Sequence, residues 1–424
     1  MSRLAAILGF LVAIAAAAAA ALIIFPAPSK TLALAAIVAG ERSVLIIGAG
    51  IVGAVLALIG SRPGTRALSM LSVLLGLTAI GVALIPPAQA LRLAGERRID
   101  LDFSRYLSAS VDTEGPIKAE KTVTYATVDG HELGLDVYPP KRAGDPGAGA
   151  PAIIVIHGGG WSSGDKGDAS KFSHWLAQQG YAVFDIDYRT KPQPNWKSAT
   201  GDVKCAIGWV KQHATSPEWK VDPKRITLLG RSAGGHLALL AAYTPGDPKL
   251  PPSCDAPDTS VESVIDYYGP TELAWDYAHP SNPSVYDSRA KEEGFVGGTP
   301  TSQADLYRLL SPALRVTESA PRTLLIHGGR DQFVTKDNSE LMGDKLHAAG
   351  VRYDMLLIPY AQHAFDFMFG GLSEQIVEKV LLKFLEDRPK TAAATAPAEA
   401  TPDADSLPEK RARPLDEGAG KDPQ

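Results

Sequence analysis

Two cysteines in 424 residues are too few for a disulfide-dense scaffold or a four-cysteine zinc site. An excess of positive charge is also missing: 42 Lys and Arg stand against 47 Asp and Glu, net -5, which excludes a basic nucleic-acid footprint. Charge of either sign is nearly absent from residues 1–90, which hold only Arg3, Lys30, Glu41, Arg42, Arg62 and Arg66. From Pro389 to the end there is no aromatic residue and leucine occurs only twice. That segment cannot bury enough apolar surface to offset chain entropy, so residues 389–424 are expected to be a disordered Ala/Pro-rich tail.

The charge-poor N-terminal part contains long apolar runs. Leu4 to Phe25 has no charged residue, and neither do Ser43 to Gly60 and Ala67 to Ile85, the last closed by Pro86-Pro87. At 1.5 Å per residue, helices of these lengths approach or exceed the roughly 30 Å hydrocarbon core. Residues 1–90 are therefore expected to be a multi-pass anchor in the lipid bilayer, with spans at about 4–25, 43–60 and 67–85. Thr31–Gly40 is apolar but short, and extends a span or lies at the interface. A cleaved signal peptide is the competing reading of the first run, but two further spans follow it closely. Arg3, Arg62 and Arg66 flank one side. Lys30, Arg42, Arg92, Arg97, Arg98 and Arg105 flank the other, which by the positive-inside rule favours a cytoplasmic C-terminal domain. Residues 91–111 read as a juxtamembrane linker.

From about Asp112 to Arg388 strands and helices alternate. Thr122–Val128 and Leu133–Tyr138 read as a hairpin joined at Asp129-Gly130. Apolar strands follow at Ala152–Ile156, Ala182–Ile186, Ile226–Leu229, Val264–Tyr268, Thr323–Ile326 and Tyr353–Ile358. Helical patterns at Lys171–Gln179, Thr200–Gln212, Ala233–Tyr243, Asp337–Ala349 and Ser373–Leu385 lie between most of them. This predicts a mostly parallel, doubly wound α/β sheet with an antiparallel N-terminal edge. An insert at 270–315, rich in aromatic residues, either lids the site or forms a small core of its own.

One motif is a decoy. Gly48, Gly50 and Gly53 fit the dinucleotide fingerprint G-x-G-x-x-G, but no Asp or Glu occurs from Ser43 to Gly95 to hold a ribose. Ala49, Gly53 and Ala57 suit close helix packing instead.

The chemistry lies elsewhere. Gly230-Arg231-Ser232-Ala233-Gly234 fits G-x-S-x-G at a strand end that opens a helix. The glycines spare the strained turn two colliding side chains and lift the Ser232 hydroxyl above the sheet. His157-Gly158-Gly159-Gly160 follows an earlier strand, and Gly159, Gly160 and Ala233 are the expected backbone donors to an oxyanion. His157 reads as an anchor of that loop, not a base. Asp331 and His363 lie just after the last two strands, in the order that acid and base should follow. His236 and His327 read as packing and bracing residues, and Asp337 as a helix cap. No His/Asp/Glu cluster has metal-ligand spacing.

These residues resemble the α/β-hydrolase superfamily, most closely the hormone-sensitive-lipase-like and feruloyl-esterase-like (BD-FAE-type) carboxylesterases. The resemblance covers about Lys121 to Leu385. It rests on HGGGWSSGDK from His157, DYRTKPQPNW from Asp187, GRSAGGHLALLAAY from Gly230, YYGPTEL from Tyr267, SPALRV from Ser311, HGGRDQFV from His327 and IPYAQHAF from Ile358. It implies an α/β-hydrolase fold, Ser232 as nucleophile, Asp331 as acid, His363 as base and a small-molecule ester substrate, with no cofactor. Two departures stand out. Arg231 occupies a place where the lipase group usually carries an acid, and the apolar helices replace that group's N-terminal cap. An amide hydrolase, such as an arylformamidase or peptidase, would use the same residues. A non-catalytic membrane sensor on this fold would be expected to lose part of the triad.

Overall fold

Small residues decide how the first helices meet. These helices are α1 (Ser2–Ile24), α2 (Lys30–Glu41), α3 (Ser43–Ile59) and α4 (Arg66–Ala83). The computed structural model describes residues 2–110, 115–141 and 149–387. The expected tail at 389–424 and the expected domain edges at Asp112 and Arg388 lie outside the described residues. Helices α1, α3 and α4 pack against one another. The buried stripe of α3 is Ser43, Ile46, Gly50, Gly53 and Ala57, spaced three and four apart as on one helix face. A Cβ on Gly53 would sit 2.9 Å from the Ala13 nitrogen, and one on Gly50 2.9 Å from the Gly76 carbonyl oxygen. The fingerprint-like glycines are thus interior to one helix; Gly50 and Gly53 are used for close approach, while Gly48 is exposed with open space beside it. Gly50 joins Gly53 and Ala57 in this role, whereas Ala49 is only partly buried.

Among the described residues, two helical stretches are long and apolar enough to cross a membrane, Ser2–Ile24 and the 66–97 stretch in which α4 runs on into α5 (Ile85–Arg97). Helices α2 and α3 qualify only as a pair, bent by 84°. The expectation that Pro86-Pro87 closes the third run is corrected. Both prolines occupy the first turn of α5, where a missing N–H leaves no bond unmade, so helix continues. Residues 91–110 of the expected juxtamembrane linker are helical over most of their length. They hold the end of α5 and α6 (Phe103–Ala109), whose N-cap is Asp102. Arg97 donates to the Met355 carbonyl at 2.8 Å, and Arg105 makes two 2.6 Å bonds to Glu378.

The sheet begins with β1 (Lys121–Val128) and β2 (His131–Tyr138). Asp129 and Gly130 both take positive φ, as a two-residue hairpin turn requires. Then come β3 (Ala150–Ile156), α7 (Ser170–Gln178), β4 (Ala182–Ile186), α8 (Trp196–Gln212), β5 (Val221–Arg231), α9 (Ala233–Tyr243) and β6 (Ser263–Tyr267). The insert forms α10 (Leu273–Ala278), α11 (Ser288–Val296) and α12 (Ala304–Leu309). The chain continues through β7 (Arg322–Gly328), α13 (Asp337–Ala348), β8 (Tyr353–Ile358) and α14 (Leu372–Glu386). The strand order is β1-β2-β4-β3-β5-β6-β7-β8. β2 is antiparallel to both its neighbours, and every pair from β4 onward is parallel.

Parallel strands covered on both faces carry continuous apolar runs, and β3, β4 and β6 are buried almost throughout. One core packs α8, α9 and α13 on the sheet, and the other packs α7 and α14 together with Ala90, Leu93 and Tyr106 from α5 and α6. Asp337 is the first residue of α13 and is exposed. The cap position belongs to Lys336, so the expected cap shifts by one residue. Cys205 of α8 and Cys254 form a disulfide that closes a loop of 49 residues.

Candidate active site

Four strand ends build the site. The chain leaves β5 at Ser232, whose φ of 54° and ψ of -121° lie outside the regions a serine ordinarily occupies. A Cβ on Gly230 would lie 2.0 Å from the Gly234 carbonyl oxygen. One on Gly234 would lie 2.3 Å from the carbonyl oxygens of Ile156 and His157. Only glycine at both places lets the turn close against β3 while α9 starts immediately after the serine.

The loop after β3 is held from several sides. Ser163 donates to the Gly159 carbonyl at 2.9 Å, and Asn195 to that of Trp161 at 2.7 Å. The His157 ring stacks on Tyr188, centroids 4.3 Å apart, and its Nδ1 meets the Gly158 carbonyl at 2.8 Å. Burial pushes the His157 pKa down, which suits a neutral loop anchor. Gly159 and Gly160 have φ of 110° and 59°, and among the described residues their amides donate no hydrogen bond.

The structure brings Ser232, His363 and Asp331 together in one chain of hydrogen bonds. His363 Nε2 lies 3.0 Å from Ser232 Oγ, and His363 Nδ1 lies 2.6 Å from Asp331 Oδ2. The amides of Phe333 and Val334 donate to the other carboxylate oxygen at 2.7 and 3.0 Å. Burial raises the Asp331 pKa, but the facing charge of His363 and the bonds from His327 and His363 overcome it and hold the carboxyl well below the usual range. His327 is fully buried, bonded to Ser339 Oγ at 2.8 Å and the Val334 carbonyl at 3.0 Å, and braces the acid loop. His236 is bonded to Trp161 and the Leu310 carbonyl, and burial pushes its pKa down to about 4.

Sequence reasoning missed several contributors. Phe333 stacks on the His363 ring at 5.1 Å and 17°, and Tyr268 leans over it at 4.4 Å. Arg231 Nε donates to Asp366 Oδ2 at 2.5 Å, and Tyr268 donates to the same carboxylate. This buried set ties the nucleophile strand to the histidine loop. Burial pulls the Arg231 pKa down, but the Asp366 charge beside it raises it further. The insert packs into the main core of the domain and also reaches the site. Phe295 stacks on Trp161 at 4.7 Å in the core, while Tyr286 and Lys291 line a cavity of about 240 Å³ with Ser232, His363 and Gly158–Gly160. In the sequence Arg231 stood out as a departure and the insert as rich in aromatic residues, whereas Asp366 and Lys291 carried no signal. Among the described residues no group of three or more His, Cys, Asp and Glu could hold a metal ion.

A mostly parallel eight-stranded sheet with a strained serine elbow after its central strand β5 is the α/β-hydrolase fold. The profile of the BD-FAE family matches residues 135–346, half of the chain, and the chain belongs to that family. It is similar to Esterase LipQ of Mycobacterium tuberculosis, 32% identical over 256 residues, covering 59% of this chain and 58% of that protein. It is also similar to Esterase LipC of the same organism, 33% identical over 245 residues, covering 56% and 58%. The chain thus spans less than two thirds of the length of these relatives. Among solved structures, the apo form of Thermogutta terrifontis esterase 2 aligns with a TM-score of 0.53 at 25% identity, over 65% of this chain and 97% of that one.

Proposed function

We propose that this chain is a membrane-anchored serine hydrolase that cleaves carboxylic esters through an acyl-enzyme on Ser232. The observation that carries the reading is the Ser232–His363–Asp331 hydrogen-bond chain beside the Gly159–Gly160 loop. His363 Nε2 takes the serine proton as Oγ attacks the ester carbonyl, while Asp331 fixes the tautomer through Nδ1 and stabilises the imidazolium. The amides of Gly159, Gly160 and Ala233 receive the oxyanion. The alcohol leaves with the proton from His363, and water repeats the cycle to release the acid. The named esterases similar to the chain support esters over amides. A fluorophosphonate probe should label Ser232 alone on the intact protein, and the labelled protein should lose aryl-ester turnover. Absence of labelling would contradict the reading, and a formyl amide turned over faster than its ester would move it to the amide class.

In this reading α1, α3 and α4 cross the bilayer, and α2 lies on the side of the catalytic domain. The Cys205–Cys254 bond favours a domain in an oxidising compartment, against the count of flanking positive charges. Three of those charges have another use. Arg42 donates to the Phe369 carbonyl, and Arg97 and Arg105 bind α/β-domain residues. A membrane-impermeant thiol reagent applied to intact cells after reduction should label both cysteines.

A further inference from the structure

The link between α1 and α2 reaches into the catalytic domain. The Ala27 amide donates to Gln332 Oε1 at 2.6 Å, and Asn282 donates to the Ala27 carbonyl at 2.9 Å. Arg330 donates to the Ile24 carbonyl at 2.7 Å. Gln332 and Arg330 flank Asp331, so the corner is fastened to both neighbours of the candidate acid. Ala27 and Ala33 form one buried cluster with Val285, against which Tyr286 and Phe333 pack. Those two aromatic residues also line the 240 Å³ cavity at Ser232, and Lys30, the first residue of α2, lines it with them.

The other end of α2 is held as well. Ser373 donates to Glu41 at 2.6 Å, and Arg42 reaches the Phe369 carbonyl at 2.9 Å. α2 therefore lies along the catalytic domain, bent 84° from α3, with Leu32, Leu34 and Val38 exposed on its free face. A second cavity of about 480 Å³, lined by Val38, Leu45 and Phe369, shares Asp168 and Phe367 with the first. The 23 residues of α1 are about as long as the hydrocarbon core is thick. Ile24 and Phe25 then mark the bilayer boundary, and the cavity mouth begins within a few residues of it.

We propose that the α1–α2 corner is one wall of the active site, and that the substrates are amphiphilic esters met at the bilayer surface and admitted along that wall. An ester carbonyl of such a molecule sits where its polar and apolar parts meet, so it can reach Ser232 while its chain stays in lipid or against α2. A soluble hydrolase would have to transfer that chain through water, at a cost for every methylene. The proposal rests on Ser232 being the nucleophile of an ester hydrolase and on α1 crossing the bilayer.

The test uses the full chain in phosphatidylcholine vesicles, with 4-methylumbelliferyl palmitate in the lipid and 4-methylumbelliferyl acetate in the water. The double variant Asn282→Ala, Arg330→Ala releases two of the side chains that hold the corner. It should lower palmitate turnover at least tenfold and leave acetate turnover within about threefold, so acetate also reports that the protein is folded. If both esters fall in parallel in the double variant, the corner is only a structural support and the proposal fails. If neither changes, the corner is not a wall of the site and the proposal also fails. If the unaltered protein hydrolyses neither ester, the esterase reading beneath it fails instead.

Discussion

The two halves of the molecule use side chains in opposite ways. In the α1, α3 and α4 bundle the contacts are made by residues that are scarcely there: Gly9 against Ala57, Gly53 against Ala13, Gly50 against Gly76. Large residues such as Leu8, Leu58 and Leu74 point outward. In the α/β domain the large residues are inside, and Phe184, Tyr267 and Phe295 are fully buried. Water drives apolar bulk inward, whereas lipid is as apolar as leucine and leaves only close packing to join helices. On the proposed membrane-anchored reading, one chain is folded for two solvents, and glycine means different things in each. In α3 it permits helix contact, and beside Ser232 it permits a strained turn.

The comparison can be broken where the two halves should respond differently. The largest effect is expected from Asp331→Asn, which leaves the bundle untouched and offers His363 the wrong hydrogen-bond partner. Aryl-ester kcat should fall by about 10⁴-fold, as for the equivalent change in a serine protease triad. A fall of tenfold or less, or a large fall in Asp337→Asn instead, would move the acid elsewhere.

A smaller effect concerns pH. His236 is buried and neutral, with its pKa pushed down from 6.5 to about 4. Between those values the unfolded chain takes a proton that the folded one refuses, so this residue's contribution to stability falls as pH drops from about 6.5 to about 4. The loss amounts to about 3 kcal/mol. Asp185 and Asp266 are pushed up to about 7 by burial and act with the opposite sign, because their folded forms hold protons longer. They remain in a His236→Gln variant, so the difference in denaturation free energy between the two proteins isolates the histidine. Parallel pH curves would contradict its burial as a neutral group.

The smallest effect sharpens the other half. Gly53→Leu should overpack α1 against α3 and lower stability in detergent by about 1–3 kcal/mol. Turnover of a soluble aryl ester should stay within about threefold. Thermal unfolding followed alongside activity separates the two, and equal stability would mean that the glycine contact is dispensable.

Much of this was legible in the sequence because it is local. Strands β3 to β8 show as short apolar runs, β1 and β2 as a hairpin joined at Asp129-Gly130, and the serine elbow as two glycines around Ser232. What was not legible depends on contacts between distant segments. Pro86-Pro87 looks like a stop because proline interrupts helices, yet at a helix start it costs nothing. Arg42, Arg97 and Arg105 look like topology signals, but each reaches a partner more than 250 residues away. Arg231 looks like a departure from the family pattern. Its reason lies in Asp366, on the loop that carries His363. Nothing in the run from Phe25 to Lys30 suggested that it would meet the candidate site.

The central claim is that Ser232, held at an unfavourable φ and ψ within 3.0 Å of His363, is the nucleophile of an ester hydrolase. Turnover of 4-nitrophenyl acetate by the full-length protein and by its Ser232→Ala variant, matched for folding by thermal unfolding, tests it most directly. The account predicts turnover in the first and none above the buffer rate in the second. Equal turnover in both would contradict it.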